Sequence, residues 1–315
     1  MVLLPSTPSP IRRLAVGEIE LFIKDDGALH PRYGGNKVRK LARIWADARD
    51  HGSERVVTFG AAGSHHALTT ALFAPDFGLR AAAILGPQPK TAHAEAVLRA
   101  SLASGLEAVP VSSLALAPVA LVRMLRRSDY VVGPGGSGLL GTLAYADAVL
   151  ELEQQIASGA LPAPDIIVTA VGSGGTAAGI LAGVVERGLA AQVLGVQVVG
   201  GHVSRALVLG LAARALRHRG RSLRGLSERF TLTRTELGKG YGHATERGLA
   251  AREVAEQHGL RVEPTYTEKA LAHALGLANG TRRVILYWHT LSAHEPRLEV
   301  AAGALAPEFA ALLRG

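Results

Sequence analysis

Residues 166–185 form a run of 20 positions without one charged side chain, and the run holds Gly172, Gly174, Gly175, Gly179 and Gly183. A stretch of about 20 apolar residues is long enough to span a bilayer. Five glycines within it fit a buried strand, a tight turn and a buried helix better. Such a unit needs a sizeable core around it. With 48% hydrophobic against 19% charged residues over 315 positions, the chain is too apolar for disorder and large enough for about two domains. It has no cysteine, which removes disulfide frameworks, thiolate metal sites and cysteine nucleophiles together. Pro5 interrupts the apolar N-terminus, and Arg12 and Arg13 lie on the wrong side of it for a secretion signal. The expectation is a soluble, cytoplasmic protein with no membrane span.

Short apolar runs alternate with longer segments of helical period. Strands are predicted at 55–59, 81–85, 130–132, 165–171, 193–199 and 284–288. Helices are predicted at 36–51, 65–73, 91–104, 139–158, 176–188, 245–258 and 267–276. This alternation predicts an α/β chain with parallel sheets. The softest boundary is 158–164, where two prolines sit among small residues.

The strand at 165–171 runs straight into Gly172-Ser173-Gly174-Gly175-Thr176, which opens a helix. Backbone N–H groups at such a turn converge on an anion, and Ser173 and Thr176 add hydroxyls. The spacing also matches a dinucleotide fingerprint. That fingerprint needs an acid at the end of the following strand, and Leu194-Gly195-Val196-Gln197-Val198-Val199 has none. A smaller phosphate ligand is favoured, against the alternative of a purely structural turn. A P-loop is excluded because Gly238-Lys239 is followed by Gly240.

Two further turns stand out. Gly34-Gly35-Asn36-Lys37 sets a lysine at the start of a helix, where its charge opposes the macrodipole. An amine there has its ammonium form disfavoured, the condition for attack on a carbonyl; a lysine pointing to solvent is the alternative. Gly63-Ser64-His65-His66 places Ser64 as an N-cap whose turn could bind a carboxylate. Adjacent histidines on a helix cannot both face one ion, so no metal site is expected.

Together these spellings resemble a family of pyridoxal 5′-phosphate enzymes. Gly34-Gly35-Asn36-Lys37-Val38-Arg39-Lys40-Leu41 is similar to the signature of the 1-aminocyclopropane-1-carboxylate deaminase and D-cysteine desulfhydrase family. Other segments agree in order: Ile23-Lys24-Asp25-Asp26, Gly135-Gly136-Ser137 with Gly141 and Tyr145, the loop at 172–179, Gly240-Tyr241-Gly242, Glu263-Pro264-Thr265-Tyr266 and Trp288-His289-Thr290. The resemblance spans residues 18–290. It implies the two-domain tryptophan-synthase-β-like fold (fold type II), with a large cofactor-binding domain from 1–39 and 149–315 and a small α/β domain at 40–148.

The same resemblance assigns roles. Lys37 would carry the cofactor as a Schiff base and move the substrate α-proton. Ser173, Gly174, Gly175 and Thr176 would hold the phosphate, and Thr290 would meet the pyridine nitrogen. A hydroxyl there, unlike a carboxylate, weakens the electron sink and favours elimination over transamination. Ser64, with His65 and His66, would bind the substrate carboxylate. Tyr241 and Tyr266 would line the substrate side as candidate acids, and Ser64 is a candidate base. His65 stands where the family has asparagine beside the cofactor's phenolic oxygen. Leu291-Ser292 replaces two glycines, and the proline usual soon after Gly242 is absent.

Deaminases of the family usually carry glutamate directly after the tyrosine matching Tyr266, where this chain has Thr267. The expected activity is therefore a lyase reaction, α,β-elimination or deamination of a small amino acid such as D-cysteine, giving pyruvate and ammonia. The alternatives are a diverged member that binds cofactor or a phosphate ligand with another substrate or no catalysis, and, less favoured, cyclopropane ring opening. The family implies a homodimer. The net charge of +8 is mostly dispersed, except for arginines at 205–234. No aromatics interleave with them, so a solvated face is favoured and no nucleic-acid partner is expected.

Overall fold

The computed structural model describes residues 8–201, 204–280, 282–295 and 304–314. In chain order its elements are β1 (Ile11–Val16), β2 (Ile19–Asp25), α1 (Asn36–Asp50), β3 (Arg55–Ala61), α2 (His65–Phe73), β4 (Arg80–Gly86), β5 (Gln88–Pro89), α3 (Ala92–Ala103), β6 (Glu107–Pro110), α4 (Ala117–Met124) and β7 (Asp129–Val131). They continue with α5 (Leu139–Ala157), β8 (Ile166–Val171), α6 (Gly175–Arg187), β9 (Gln192–Gln197), α7 (Arg205–His218), β10 (Phe230–Thr233), α8 (Glu246–Gln257), α9 (Thr267–Ala278), β11 (Ile285–His289), α10 (Pro307–Ala310) and β12 (Leu313–Arg314). Every expected strand and helix is present to within two residues at either end. Among the described residues no helix is long and apolar enough to cross a membrane.

The chain divides into two compact units. The larger holds residues 8–40 and Ser137–His294. Its six strands lie in the order β1-β2-β11-β8-β9-β10, parallel except for the β1–β2 pair. Alternate strand residues face opposite sides. Ile167 joins Tyr145, Val149, Leu181 and Leu216 under α5, α6 and α7, while Val168 joins Ala251, Leu271 and Tyr287 under α8 and α9. The uncharged run is thus β8, its turn and α6. Gly183 lets α6 lie against α5, since a Cβ there would come 2.6 Å from the Cβ of Val149; a Cβ on Gly179 would overlap Tyr145 and the Thr142 carbonyl.

A buried ionic cluster anchors the start of α1 in this unit. One Asp26 oxygen accepts from Arg39 Nε at 3.1 Å and Nη2 at 3.0 Å; the other accepts from Tyr145 at 2.5 Å and the Trp288 indole at 2.8 Å. Glu151 on α5 accepts from Lys24 at 2.6 Å and from Arg39 at 2.8 and 2.9 Å. Burial pushes the Glu151 carboxyl up, but the Arg39 and Lys24 contacts win and hold it down at about 2. Buried ions persist only when paired and hydrogen-bonded this fully.

The smaller unit holds Leu41–Gly136 with residues 304–314. Its parallel sheet has the order β6-β4-β3-β7, and β12 pairs with β5. Residues 304–314 go with this unit because β12 pairs there, whereas the sequence grouped them with the larger one. The second boundary falls at Gly136, ahead of α5 rather than within it, because α5 packs along α6 through the two glycines.

Candidate active site

Within the larger unit, three segments end at the same place. The turn before α1 is held by its own backbone: the N–H groups of Gly34, Gly35 and Asn36 donate to Ser292 Oγ (3.0 Å), Asp26 O (2.7 Å) and Thr290 O (3.1 Å). Gly35 has φ +90, and a Cβ there would lie 2.7 Å from the Thr290 carbonyl. Only glycine accepts both conditions cheaply. Ser292, which accepts the Gly34 N–H, is thus used structurally, and Leu291 beside it is buried.

Lys37 follows at the first turn of α1. Its Nζ donates to Asn36 Oδ1 at 2.9 Å, and Asn36 Nδ2 donates to Thr176 Oγ1 at 3.0 Å. An ammonium has only donors, so the carboxamide must turn its oxygen to Lys37 and its NH₂ to Thr176. Burial lowers the Lys37 amine to about 8, partly offset by the negative charge of Glu263. Burial also lowers Lys40, further depressed by the neighbouring Lys37 charge.

The glycine turn lies at the other end of this chain of hydrogen bonds. Gly174 caps α6 with φ +85 and has no side chain to cap it, so the amides after Gly175 in the first turn of α6 can point at a ligand. Ser173 Oγ is 2.7 Å from Ser137 Oγ, and Ser137 accepts the Gly175 N–H at 3.1 Å. A Cβ on Gly172 would come 2.8 Å from the Tyr266 ring, so the loop and that tyrosine are in direct contact.

Tyr241 and Tyr266 meet edge to face at 5.7 Å between centroids. Each is placed by a buried charge. Glu263 accepts the N–H groups of Thr265 (2.8 Å), Tyr266 (2.8 Å) and Thr267 (3.0 Å). Lys269 donates to the carbonyls of Leu237 (3.0 Å) and Gly240 (2.8 Å), fixing the turn before Tyr241. Burial raises both phenols, Tyr241 to about 12. They can therefore hold or donate a proton at neutral pH.

The remaining expected residues lie in the smaller unit. Ser64 caps α2, accepting the Ala67 N–H at 3.3 Å. His65 Nε2 is 2.9 Å from His93 Nε2, and His66 is buried with its Nε2 2.7 Å from Thr58 Oγ1. Sequence reasoning assigned no role to Asn36, His93 or Glu263, and Ser137 and Glu263 entered only as motif spellings. A carboxylate two to four residues ahead of three amides is a recognisable capping signal, but a histidine pair 28 positions apart leaves none.

An amine, an anion-binding helix start and a ring of hydroxyls in one unit fit a group with a carbonyl at one end and a phosphate at the other. Comparisons with known proteins agree. The family described as "Pyridoxal-phosphate dependent enzyme" matches residues 2–290. The chain is 32% identical to nocardicin C-9′ epimerase of Nocardia uniformis subsp. tsuyamanensis, over 94% of this chain and 92% of that one. It is 31% identical to a D-cysteine desulfhydrase of Klebsiella pneumoniae (strain 342), over 89% and 90%. The solved structure of an ACC deaminase homologue superposes with a TM-score of 0.81 at 29% identity, covering 94% of this chain and 92% of that one.

Proposed function

The chain belongs to the pyridoxal-phosphate dependent enzymes of fold type II, in the branch of D-cysteine desulfhydrases and ACC deaminases, and on that premise we propose that it eliminates the β leaving group of a small amino acid, with D-cysteine the first candidate. The overall change is D-cysteine plus water to pyruvate, ammonia and hydrogen sulfide. The α C–H, β C–S and Cα–N bonds break, sulfur leaves as hydrosulfide, and water supplies the carbonyl oxygen of pyruvate as ammonia departs. The observation that carries this reading is the hydrogen-bonded chain from the Lys37 amine through Asn36 to Thr176, which joins a reactive amine to a phosphate-type loop.

Bound pyridoxal 5′-phosphate supplies the carbonyl that a lysine can capture and the electron sink that makes a substrate α-proton acidic. Lys37 is the lysine, and its Nζ, lowered to about 8, takes and returns a proton near neutral pH. Ser173, Gly174, Gly175 and Thr176 would hold the phosphate, and the Thr290 hydroxyl would serve the ring nitrogen. Ser64 and His65 take the substrate carboxylate, with His66 behind them bracing Thr58. Tyr241 or Tyr266 gives a proton to the departing sulfur; Ser64 is the competing candidate base. Homodimerisation and a cytoplasmic location complete the proposal and rest on the family alone.

The kinship to an epimerase supports a second reading, because epimerisation needs the same α-proton removal and then returns a proton to the opposite face of Cα, with no bond to the β carbon broken. One experiment separates the two. Wild type and Lys37→Ala are mixed with pyridoxal 5′-phosphate, followed by absorbance, then given D- and L-cysteine in D₂O. A lysine-bound cofactor band in wild type alone, then equimolar sulfide and pyruvate from one enantiomer, is expected. Deuterium at Cα with inversion to the other enantiomer and no sulfide would make the protein an epimerase, and no band in wild type would remove the lysine assignment.

A further inference from the structure

Val208 and Leu211 of α7 lie against Gly174 of the glycine turn, but the arginines of this stretch make no hydrogen bond or ion pair with the lysine site among the described residues, and the structure sorts them. Arg205 clamps the loop after α7 back onto the start of that helix, donating to Phe230 O (3.2 Å), Ser227 O (2.6 Å) and Ser227 Oγ (3.0 Å). Arg219 pairs with Asp147 and, at 2.7 Å, with Glu186, which Arg221 also reaches at 3.2 Å. Arg217 and Arg224 pair with no carboxylate among the described residues. Both are exposed, and both line one groove of about 560 Å³ between α7 and the clamped loop.

The groove has the make-up of a small-molecule site. Ala213 and Leu226 are buried in it, and Leu209 and Leu223 are half-buried. Gly210 keeps it open, with nothing within 4 Å of where its Cβ would stand. The volume of the groove lies in the range of roughly 300–1,000 Å³ that suits small ligands. No aromatic side chain lines the groove, so it offers no stacking for bases. Glu228 shares the rim, which leaves a surplus of one positive charge over the two arginines. Guanidinium forks match carboxylate and phosphate in shape as well as charge.

We propose that this groove binds a small amphiphilic anion, its apolar body against Leu209, Ala213, Leu223 and Leu226 and its carboxylate or phosphate end on Arg217 and Arg224. The site is independent of the activity proposed above.

Calorimetric titration of the cofactor-loaded protein with octanoate, octyl phosphate, octan-1-ol and octyltrimethylammonium, each below its micelle concentration, tests it. One anion per chain is expected to bind, more weakly as salt rises, with the neutral and cationic probes at least about tenfold weaker. The stronger of the two anions identifies the head group. Gly210→Leu, which fills the groove, should abolish binding. Arg217→Gln with Arg224→Gln should reduce the anions to the affinity of octanol. An unchanged lysine-bound cofactor band shows that each variant is folded, and the double arginine variant decides alone if the Gly210 variant is not. Failure of both anions to bind at millimolar concentration, octanol binding as well as octanoate, or unaltered binding to the folded variants would each overturn the proposal.

Discussion

Mixing the cofactor-free protein with pyridoxal 5′-phosphate across pH 6–10 probes the Lys37 amine through the rate at which it captures the carbonyl. Burial disfavours the ammonium, and the amine falls from 10.5 to about 8. At pH 7.5 an amine with a pKa of 8 is roughly one-quarter neutral and one at 10.5 roughly one-thousandth, a gain of about 200-fold in the reactive form. The capture rate, followed by absorbance, should rise tenfold per pH unit at first, bend near pH 8 and level off by about 9.5. The phosphate finishes ionising lower, near pH 6–7, and does not mimic that bend. The stability sign follows from the same shift. Between about 8 and 10.5 the unfolded chain holds a proton that the folded one has released, so this group makes folding more favourable as pH rises through that window. A rate that climbs tenfold per unit past pH 9.5, as for an ordinary lysine, would refute the burial of this amine.

The remaining predictions concern the scaffold and the tyrosines. Glu151→Gln should cost about 3 kcal/mol in urea unfolding, because Lys24 and Arg39 lose a buried counter-ion. The native carboxyl, depressed to about 2, contributes stability above its ordinary pKa of 4.5 that is lost as pH falls from 4.5 to 2; thermal melts of the variant should lack that slope. Gly179→Ala should force α5 and α6 apart and cost about 2–3 kcal/mol by thermal melting. Gly174→Ala should cost about 1–2 kcal/mol for a left-handed backbone and weaken cofactor binding about tenfold in an absorbance titration. Tyr266→Phe should keep the ring packing and the cofactor band yet lower kcat by about 10²-fold if its hydroxyl moves a proton.

Elements whose side chains alternate or recur with a clear period were legible in the sequence. β8 and α6 are the clearest case, because the glycines that punctuate the uncharged run are needed by the turn and by the approach to α5. The arginine-rich segment was legible only as charge. Its helix, α7, hides an apolar face of Val208, Ala212 and Leu216 among arginines, and no local pattern announces that Arg219 and Arg221 just past its end pair with Glu186. The β1–β2 hairpin also escaped notice, since Lys24 and Asp25 at its end look like solvated charges until Glu151, 127 positions on from Lys24, and Arg12, across the hairpin from Asp25, are known as their partners. The candidate site divides the same way. Lys37, the glycine loop and the tyrosines stand in short motifs, whereas Asn36 and His93 matter through neighbours 140 and 28 residues away.

The cluster around Asp26 separates two tasks that adjacent residues might have shared. Arg39, two positions after Lys37, is committed to Asp26, Glu151 and the Ser9 hydroxyl, none of which hydrogen-bonds to the amine among the described residues. Substitutions at Ser64, His65 or Leu291 touch none of these partners. On the roles proposed above, a change at those positions would alter which substrate is held while the bearing of Lys37 on α1 stays as the ionic cluster sets it. Similarity to both a desulfhydrase and an epimerase fits such a division.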